Sequence, residues 1–289
     1  MPKAMRCDQC GAEVTFDTQK QVMRCEFCGS TYLVETETAV KPWQAEEVII
    51  PFSTDEGQVN RYFSDWVKKG LFKPGDLSAL LQRSPMQGIY IPTWNYSFEA
   101  TTNWSGEKRF TRSEPYTDSQ GNRQTRSVEY WEPRSGNRHE FYNLFIAASS
   151  GLTNEEVMKL APFPLESAVP YAVEYFAGKQ AEVPHKSPDQ GWGEAQVEAE
   201  ASERAAVYRE VDRISSFNTQ FYNETHRMVY VPIWLSGYYY KQKYYRVLIN
   251  GRTGEVQGQK PVSAIKVLIA IVLGLAIVAG LILLFTNLK

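Results

Sequence analysis

At 289 residues, with 43% hydrophobic and 13% aromatic side chains, the chain can bury a sizeable core and is too apolar to be disordered. Its formal charge of −2 excludes a protein whose binding rests on an overall excess of cations against a phosphate backbone. All four cysteines fall within the first 28 residues, which argues for one compact metal site and against a disulfide framework spread through a secreted fold.

Residues 1–34 read as a four-cysteine zinc ribbon. Cys7-Asp8-Gln9-Cys10-Gly11 and Cys25-Glu26-Phe27-Cys28-Gly29 are two C-x-x-C-G knuckles with fourteen residues between Cys10 and Cys25. Each knuckle aims two thiolates at one point, and Gly11 and Gly29 tolerate the positive φ that turns backbone amides toward sulfur. Cys7, Cys10, Cys25 and Cys28 are therefore the expected ligands of a structural Zn²⁺, and the same four sulfurs could hold iron. A redox dithiol is disfavoured, because neither pair opens a helix in a βαβ pattern. Val14 and Phe16 alternate as in a strand, Asp17 to Lys20 form a polar turn, and Gln21 to Arg24 lead back to the second knuckle. Thr31 to Val34 are expected to supply the third strand. Lys3, Arg6, Lys20 and Arg24 cancel against Asp8, Glu13, Asp17 and Glu26, and zinc with four thiolates adds about −2. That surface suits a protein partner better than nucleic acid.

Residues 35–47 are a polar linker to a main body at 48–262. Val48 to Phe52 read as a short strand. Ser53 and Glu56 have capping-box spacing before a helix whose Val59, Tyr62, Phe63, Trp66 and Val67 recur at helical intervals up to Gly70. A second short helix is expected near Gly75 to Arg83. The strand Ile89-Tyr90-Ile91-Pro92-Thr93-Trp94 returns much later as Val229-Tyr230-Val231-Pro232-Ile233-Trp234. In both, β-branched residues on one face oppose Tyr, Pro and Trp on the other, and the proline places both at sheet edges, strand starts or bulges.

Each copy follows an amphipathic helix and precedes aromatic-rich strands, so the body reads as a duplicated α+β unit with antiparallel sheets and halves at about 48–150 and 151–262. The later helix is expected over Gly193 to Phe217. Between the copies, Trp104 to Phe110, Arg123 to Trp131 and His139 to Ala148 suggest strands separated by turns at Asp118 to Asn122 and Ser135 to Asn137. Thr153 and Glu156 form a capping box for a helix ending before Pro162, and residues 184–193 form a loop. Tyr238 to Arg246 reads as a hairpin, whose tyrosines suit cross-strand pairing or a membrane boundary. Beyond Asn250-Gly251 a last strand is expected at Glu255 to Gln257.

Val267 to Phe285 is nineteen residues without a charged or strongly polar side chain, and with Ala264 and Ile265 it reaches the length of a transmembrane helix over 264–285. Only Thr286 to Lys289 follow, as in a tail anchor. Arg252, Lys260 and Lys266 before the span, and an N-terminus without an apolar signal, are expected to keep the N-terminal bulk cytosolic on a single-pass chain in the inner (cytoplasmic) membrane. Ala276 and Gly280 make a small-x-x-x-small pair that suits homo-oligomer packing in the bilayer. Chemistry is hard to locate: there is no P-loop, no G-x-G-x-x-G and no G-x-S-x-G. His139, His185 and His226 lack ligand spacing or a nearby nucleophile, so an enzyme is not expected.

The four-cysteine ribbon, the repeated Y-[IV]-P-x-W strands, the turn Asn250-Gly251-Arg252-Thr253-Gly254-Glu255-Val256 and the terminal span resemble a family of bacterial zinc-ribbon membrane proteins. Their genes are often found beside those of phage-shock-protein-A-type proteins. The resemblance covers nearly the whole chain and carries only the zinc cysteines over as site residues. It implies a non-catalytic adaptor or scaffold at the cytoplasmic membrane that helps recruit an envelope-stress protein, directly or through another membrane protein. The competing reading is a membrane-tethered nucleic-acid-binding ribbon.

Overall fold

The computed structural model describes residues 3–7, 11–16, 27, 33–36, 46–70, 72–75, 86–176, 179–241 and 243–287, with the side chains of 3–5, 13–16, 33–36, 173 and 281–287 outside that description. The class is α+β. Near the N-terminus, β1 (Lys3–Cys7), β2 (Glu13–Phe16) and β3 (Leu33–Thr36) form an antiparallel sheet in the order β2-β1-β3. The residues ahead of the first cysteine therefore supply the central strand.

The body is one large mixed sheet of eight strands: β4 (Glu47–Ile49), β5 (Gln87–Thr117), β6 (Arg123–Ala147), β7 (Val169–Pro170), β8 (Gln180–Ala181), β9 (Arg213–Tyr240), β10 (Lys243–Asn250) and β11 (Val256–Gly258). Four helices accompany it among the described residues: α1 (Glu56–Lys68), α2 (Asn154–Leu160), α3 (Pro188–Glu210) and α4 (Ala264–Asn287). The helix expected near Gly75 to Arg83 lies mostly outside the described residues.

The two Y-[IV]-P-x-W strands are neighbours, antiparallel at the centre of the sheet. Ile91 pairs with Val231, Tyr90 with Pro232 and Pro92 with Tyr230. Neither proline takes the sheet edge, strand start or bulge expected for it, and the register explains why. The Pro92 carbonyl accepts from Ala148 N at 3.0 Å, so the amide side of Pro92 faces away from β9. There it meets the junction where β8, paired at Ile89 and Tyr90, gives way to β6, paired from Thr93 onward. Pro232 stands at the matching junction between β4 and β10, its carbonyl accepting from Gly251 N at 2.8 Å. A missing donor is tolerated in a central strand when no ladder partner stands opposite it.

Tryptophan indoles brace the same region. Trp94 Nε1 donates to the Lys186 carbonyl at 2.8 Å, and Trp234 Nε1 donates to Thr54 Oγ1 at 2.9 Å. Thr54 and Lys186 each directly precede a helix N-cap. Those caps, Asp55 for α1 and Ser187 for α3, both form capping boxes, with Gln58 and Gln190 respectively. The Ser53–Glu56 box expected from sequence is therefore displaced by two residues, because Ser53 donates to the Arg252 carbonyl instead. The later helix likewise starts at Pro188, where the capping box and a first-turn proline set it, and stops at Glu210. Arg213 to Phe217, expected to be helical, belong to β9.

The two sheet faces are covered differently. Ile89, Ile91, Val229, Val231 and Ile233 pack with α2 residues Val157 and Leu160 and with Cys7, Ala12 and Phe27 of the N-terminal unit. On the other face Tyr90, Trp94, Tyr96, Phe98 and Tyr230 pack with Ala195 and Ala199 of α3, while Trp234 joins Val59, Phe63 and Val67 of α1. Burying a side chain of this size contributes about 2 to 3 kcal/mol.

The turn expected at Ser135 to Asn137 does not form. β6 runs straight through it, with Gly136 lying so close to the Trp104 ring that a Cβ would stand 2.8 Å from it. Beyond the Glu107–Arg213 pair, β5 and β6 continue alone as a two-stranded arm closed by the expected turn at Asp118 to Asn122. An isolated hairpin is marginal in water. This one is reinforced by stacking of Phe110 on Tyr130 and by Arg112 over the Tyr130 ring, with Arg213 over Trp131 at its base.

α4 leaves the body with Ile265, Leu268 and Leu275 61% to 72% exposed. Among the described residues no helix is long and apolar enough to cross a membrane. The span read from sequence continues past Gly280, where only the backbone is described; that backbone remains helical to Asn287.

Candidate metal centre and its seat on the body

Cys7 ends β1, and the chain then reverses through the first knuckle. Gly11 N donates to the Cys7 carbonyl at 2.8 Å, Cys7 N donates to the Ala12 carbonyl at 2.9 Å, and Gly11 adopts φ +75°, which an L side chain would resist. The knuckle geometry asked of glycine by the C-x-x-C-G pattern is present. Cys7 is buried; Cys10, Cys25 and Cys28 lie outside the described residues. Among the described residues no group of three or more His, Cys, Asp or Glu side chains gathers as for a metal. Thiolates on two facing knuckles are the donor set zinc takes in closed sites, and Cys7 at the turn fits that use.

The knuckle is seated on the turn that joins β6 to α2. Ser150 Oγ donates to the Gly11 carbonyl at 3.1 Å. The Phe27 ring covers Gly151 so closely that a Cβ there would lie 2.2 Å from it. Phe27 is buried with Leu152, Leu160 and Phe163. Across the turn, Arg246 of β10 donates Nη1 to the Gly151 carbonyl at 2.8 Å and pairs through Nη2 with Glu156 of α2. Glu156 also closes the Thr153 capping box, as the sequence suggests. One arginine thus ties sheet, turn and helix together beneath the N-terminal unit.

Under this seat lies Glu182, just past β8 and 1% exposed. Its carboxylate accepts from Ser149 Oγ at 2.5 Å, Ser150 N at 2.8 Å, Ser150 Oγ at 3.0 Å and Gly151 N at 3.2 Å. Burial pushes its pKa up to about 7, and these hydrogen bonds only partly oppose the shift. Sequence reasoning did not single out Glu182. Its partners are some thirty positions away, and nothing local marks it.

A second buried carboxylate, Glu203, fixes α3 to the long strands. It accepts from Arg138 Nε at 3.0 Å and from the Tyr142 hydroxyl at 2.7 Å. Burial, and then the hydrogen bond to Glu203, push the Tyr142 hydroxyl up to about 12. Of the histidines, His139 lies beside Glu99 and Thr101 on the exposed face of the long sheet, and His226 is 2.8 Å from Glu224.

The chain is 24% identical over 224 residues to the uncharacterized protein YdjG of Bacillus subtilis (strain 168), an alignment covering 76% of this chain. It spans 64% of that protein's length. No family model matches the chain, and no solved structure matches it.

Proposed function

We propose that this chain is a non-catalytic, membrane-anchored zinc-ribbon adaptor whose ribbon and duplicated body face the cytoplasm. The observation that carries the reading is α4: it leaves the body as a helix of 24 residues on which Ile265, Leu268, Ile269, Ile271, Leu273 and Leu275 stand exposed. At 1.5 Å per residue such a helix is about 36 Å long, enough for a hydrocarbon core of about 30 Å, and a bilayer is the solvent that would cover it. Cys7, Cys10, Cys25 and Cys28 hold a structural zinc, and the seat on Ser150 and Gly151 makes the ribbon part of the body's surface.

The paired contacts of Trp94 and Trp234, and the paired capping boxes of α1 and α3, support an origin of the body in two copies of one unit. The β5–β6 arm lies at the end of β9 remote from the β9–β10 turn. Along the 28 residues of β9 the path between them is at most roughly 90 Å. A contact surface is thereby held away from the anchor. The family resemblance names the partner class as a phage-shock-A-type stress protein, reached directly or through another membrane protein.

The test is affinity purification of the full chain from membranes. Resistance to alkaline extraction, lost on truncation before Ala264, is expected, together with a defined protein partner that Cys25→Ser releases while the chain stays in the membrane. Alkaline release of the full chain would sink the anchor. Salt-sensitive nucleic acid recovered in place of protein would sink the adaptor reading.

A further inference from the structure

Three segments converge where α4 meets the body. Lys260 Nζ donates to the carbonyls of Trp66 and Lys69, at 2.5 and 2.7 Å, and lies 4.2 Å from the centre of the Trp66 ring. Ser263 N donates to the Phe72 carbonyl at 2.7 Å. The Tyr238 hydroxyl donates to the Gln259 carbonyl at 3.2 Å, tying the β9–β10 hairpin to the same stretch. β11 runs antiparallel to β10, with Val256 opposite Ile249 and Gly258 opposite Val247, so the chain beyond Gly258 advances toward the hairpin turn at Lys241. The C-terminal end of α1, the hairpin turn and the root of α4 therefore share one end of the molecule.

Their composition is one-sided. Residues 66–75, 239–245 and 257–268 contain seven lysines (68, 69, 73, 241, 243, 260 and 266), no arginine and no Asp or Glu. These stretches carry +7, so the remainder of a chain of formal charge −2 carries −9; Lys68 is paired with Asp65 of α1 at 3.1 Å, and the other six lysines carry the excess charge of this end. Burial, and then the charges of Lys73 and Lys69, hold the Lys260 ammonium below its usual pKa, in keeping with cations gathered closely. Phe72, Tyr239 and Val262 are 42%, 48% and 65% exposed among them. Lysine ammoniums interleaved with exposed rings around the start of an apolar helix form the pattern that favours a headgroup layer.

We infer that this end of the body is a lipid-docking face that rests on anionic phospholipid headgroups and holds the body upright on its anchor. The inference rests on the membrane reading of α4. Each surface lysine is worth about a fivefold gain in affinity for an anionic leaflet, and the effect is screened by salt. Because Lys260 and Ser263 latch the root to the end of α1 and the segment that follows it, the face and the anchor move together, and insertion of α4 brings the lysines to the headgroups.

The test uses the full chain in lipid nanodiscs of phosphatidylcholine alone or mixed equally with phosphatidylglycerol, read by amide hydrogen exchange over 66–75 and 239–245. Exchange in both segments is expected to slow severalfold in the anionic discs and to return toward the neutral-disc rate in a Lys241→Glu, Lys243→Glu variant, whose substitutions lie outside the Lys260 and Ser263 latch. Equal exchange in the two lipids, with the chain incorporated, would overturn the docking face and leave the anchor standing. Equal slowing in detergent at raised protein concentration would put a second copy on the face and overturn it as well. Failure of the chain to enter discs of either lipid would remove the anchor and this proposal together.

Discussion

Ile91 lies directly opposite Val231, and each is the second residue of its Y-[IV]-P-x-W motif, so the two motifs meet about an approximate twofold axis through that pair. Contacts recur in twos around it. Ile50 N donates to the Tyr230 carbonyl and Glu182 N to the Tyr90 carbonyl, both at 3.0 Å. Ser53 N donates to Gly251 and His185 N to Ala148. Of the short strands, β4 pairs with β9 and β8 with β5, which ties segments far apart in sequence into one sheet.

This arrangement predicts matched costs for the two indoles. Trp94→Phe and Trp234→Phe each keep most of the buried ring and remove one buried donor, so each is expected to cost about 1 to 2 kcal/mol. The sites share no hydrogen-bond partner, so the double variant is expected to be additive within about 0.5 kcal/mol. Denaturant unfolding of the detergent-solubilised chain measures all three. A cost confined to one tryptophan would mean the braces are not equivalent.

Glu182 makes stability depend on pH. Its pKa of about 7 in the folded chain stands above the ordinary 4.5, so folding favours the protonated acid. Its stabilising contribution is fully present below about pH 4.5 and is lost as pH rises through about 7. When protonated, the carboxyl can donate to Ser149 Oγ, its nearest neighbour. Thermal unfolding between about pH 5 and pH 8 is expected to show a falling Tm that Glu182→Gln flattens. An unchanged slope in that variant would place the titration elsewhere.

Local chemistry was legible in the sequence, and long-range accommodation was not. The Gly11 knuckle, the Thr153–Glu156 capping box, the Asp118 to Asn122 turn and the tyrosine hairpin follow from spacing, because each is settled within a few residues. Pro92 and Pro232 were misplaced because their tolerance depends on where two partner strands end, which no local pattern records. Gly136 suggested a turn for want of a side chain, whereas its absent Cβ makes room for Trp104 from the neighbouring strand. Within the candidate centre, the cysteines announce themselves by spacing. The seat formed by Ser149, Ser150, Gly151, Glu182 and Arg246 exists only once strands far apart in sequence have paired.

Gly151 offers a direct test of that seat. Gly151→Ala places a methyl 2.2 Å from a carbon of the Phe27 ring, so the N-terminal unit is expected to lift from the body while the large sheet stays folded. Limited proteolysis should then cut between residues 36 and 46 much faster than in the wild type, with the released body still resistant. Phe27→Ala in the same chain removes the clashing ring and is expected to lessen the difference that Gly151→Ala makes. If Gly151→Ala leaves the cleavage rate unchanged, Phe27 does not seat the unit.

Metal removal should act through the same contact. Small units of this kind fold on the free energy of metal binding. Elemental analysis of chain expressed in minimal medium with limited zinc supplement is expected to find zinc, with Cys7→Ser and Cys25→Ser both reducing it. A chelator should unfold residues 3–36 and expose Phe27, accelerating proteolysis as Gly151→Ala does while leaving Trp94 and Trp234 buried. Iron in place of zinc would keep the knuckles and change the metal. No metal with all four cysteines intact would end the ribbon reading, since β1, β2 and β3 would then have to be held by their seat on the body alone.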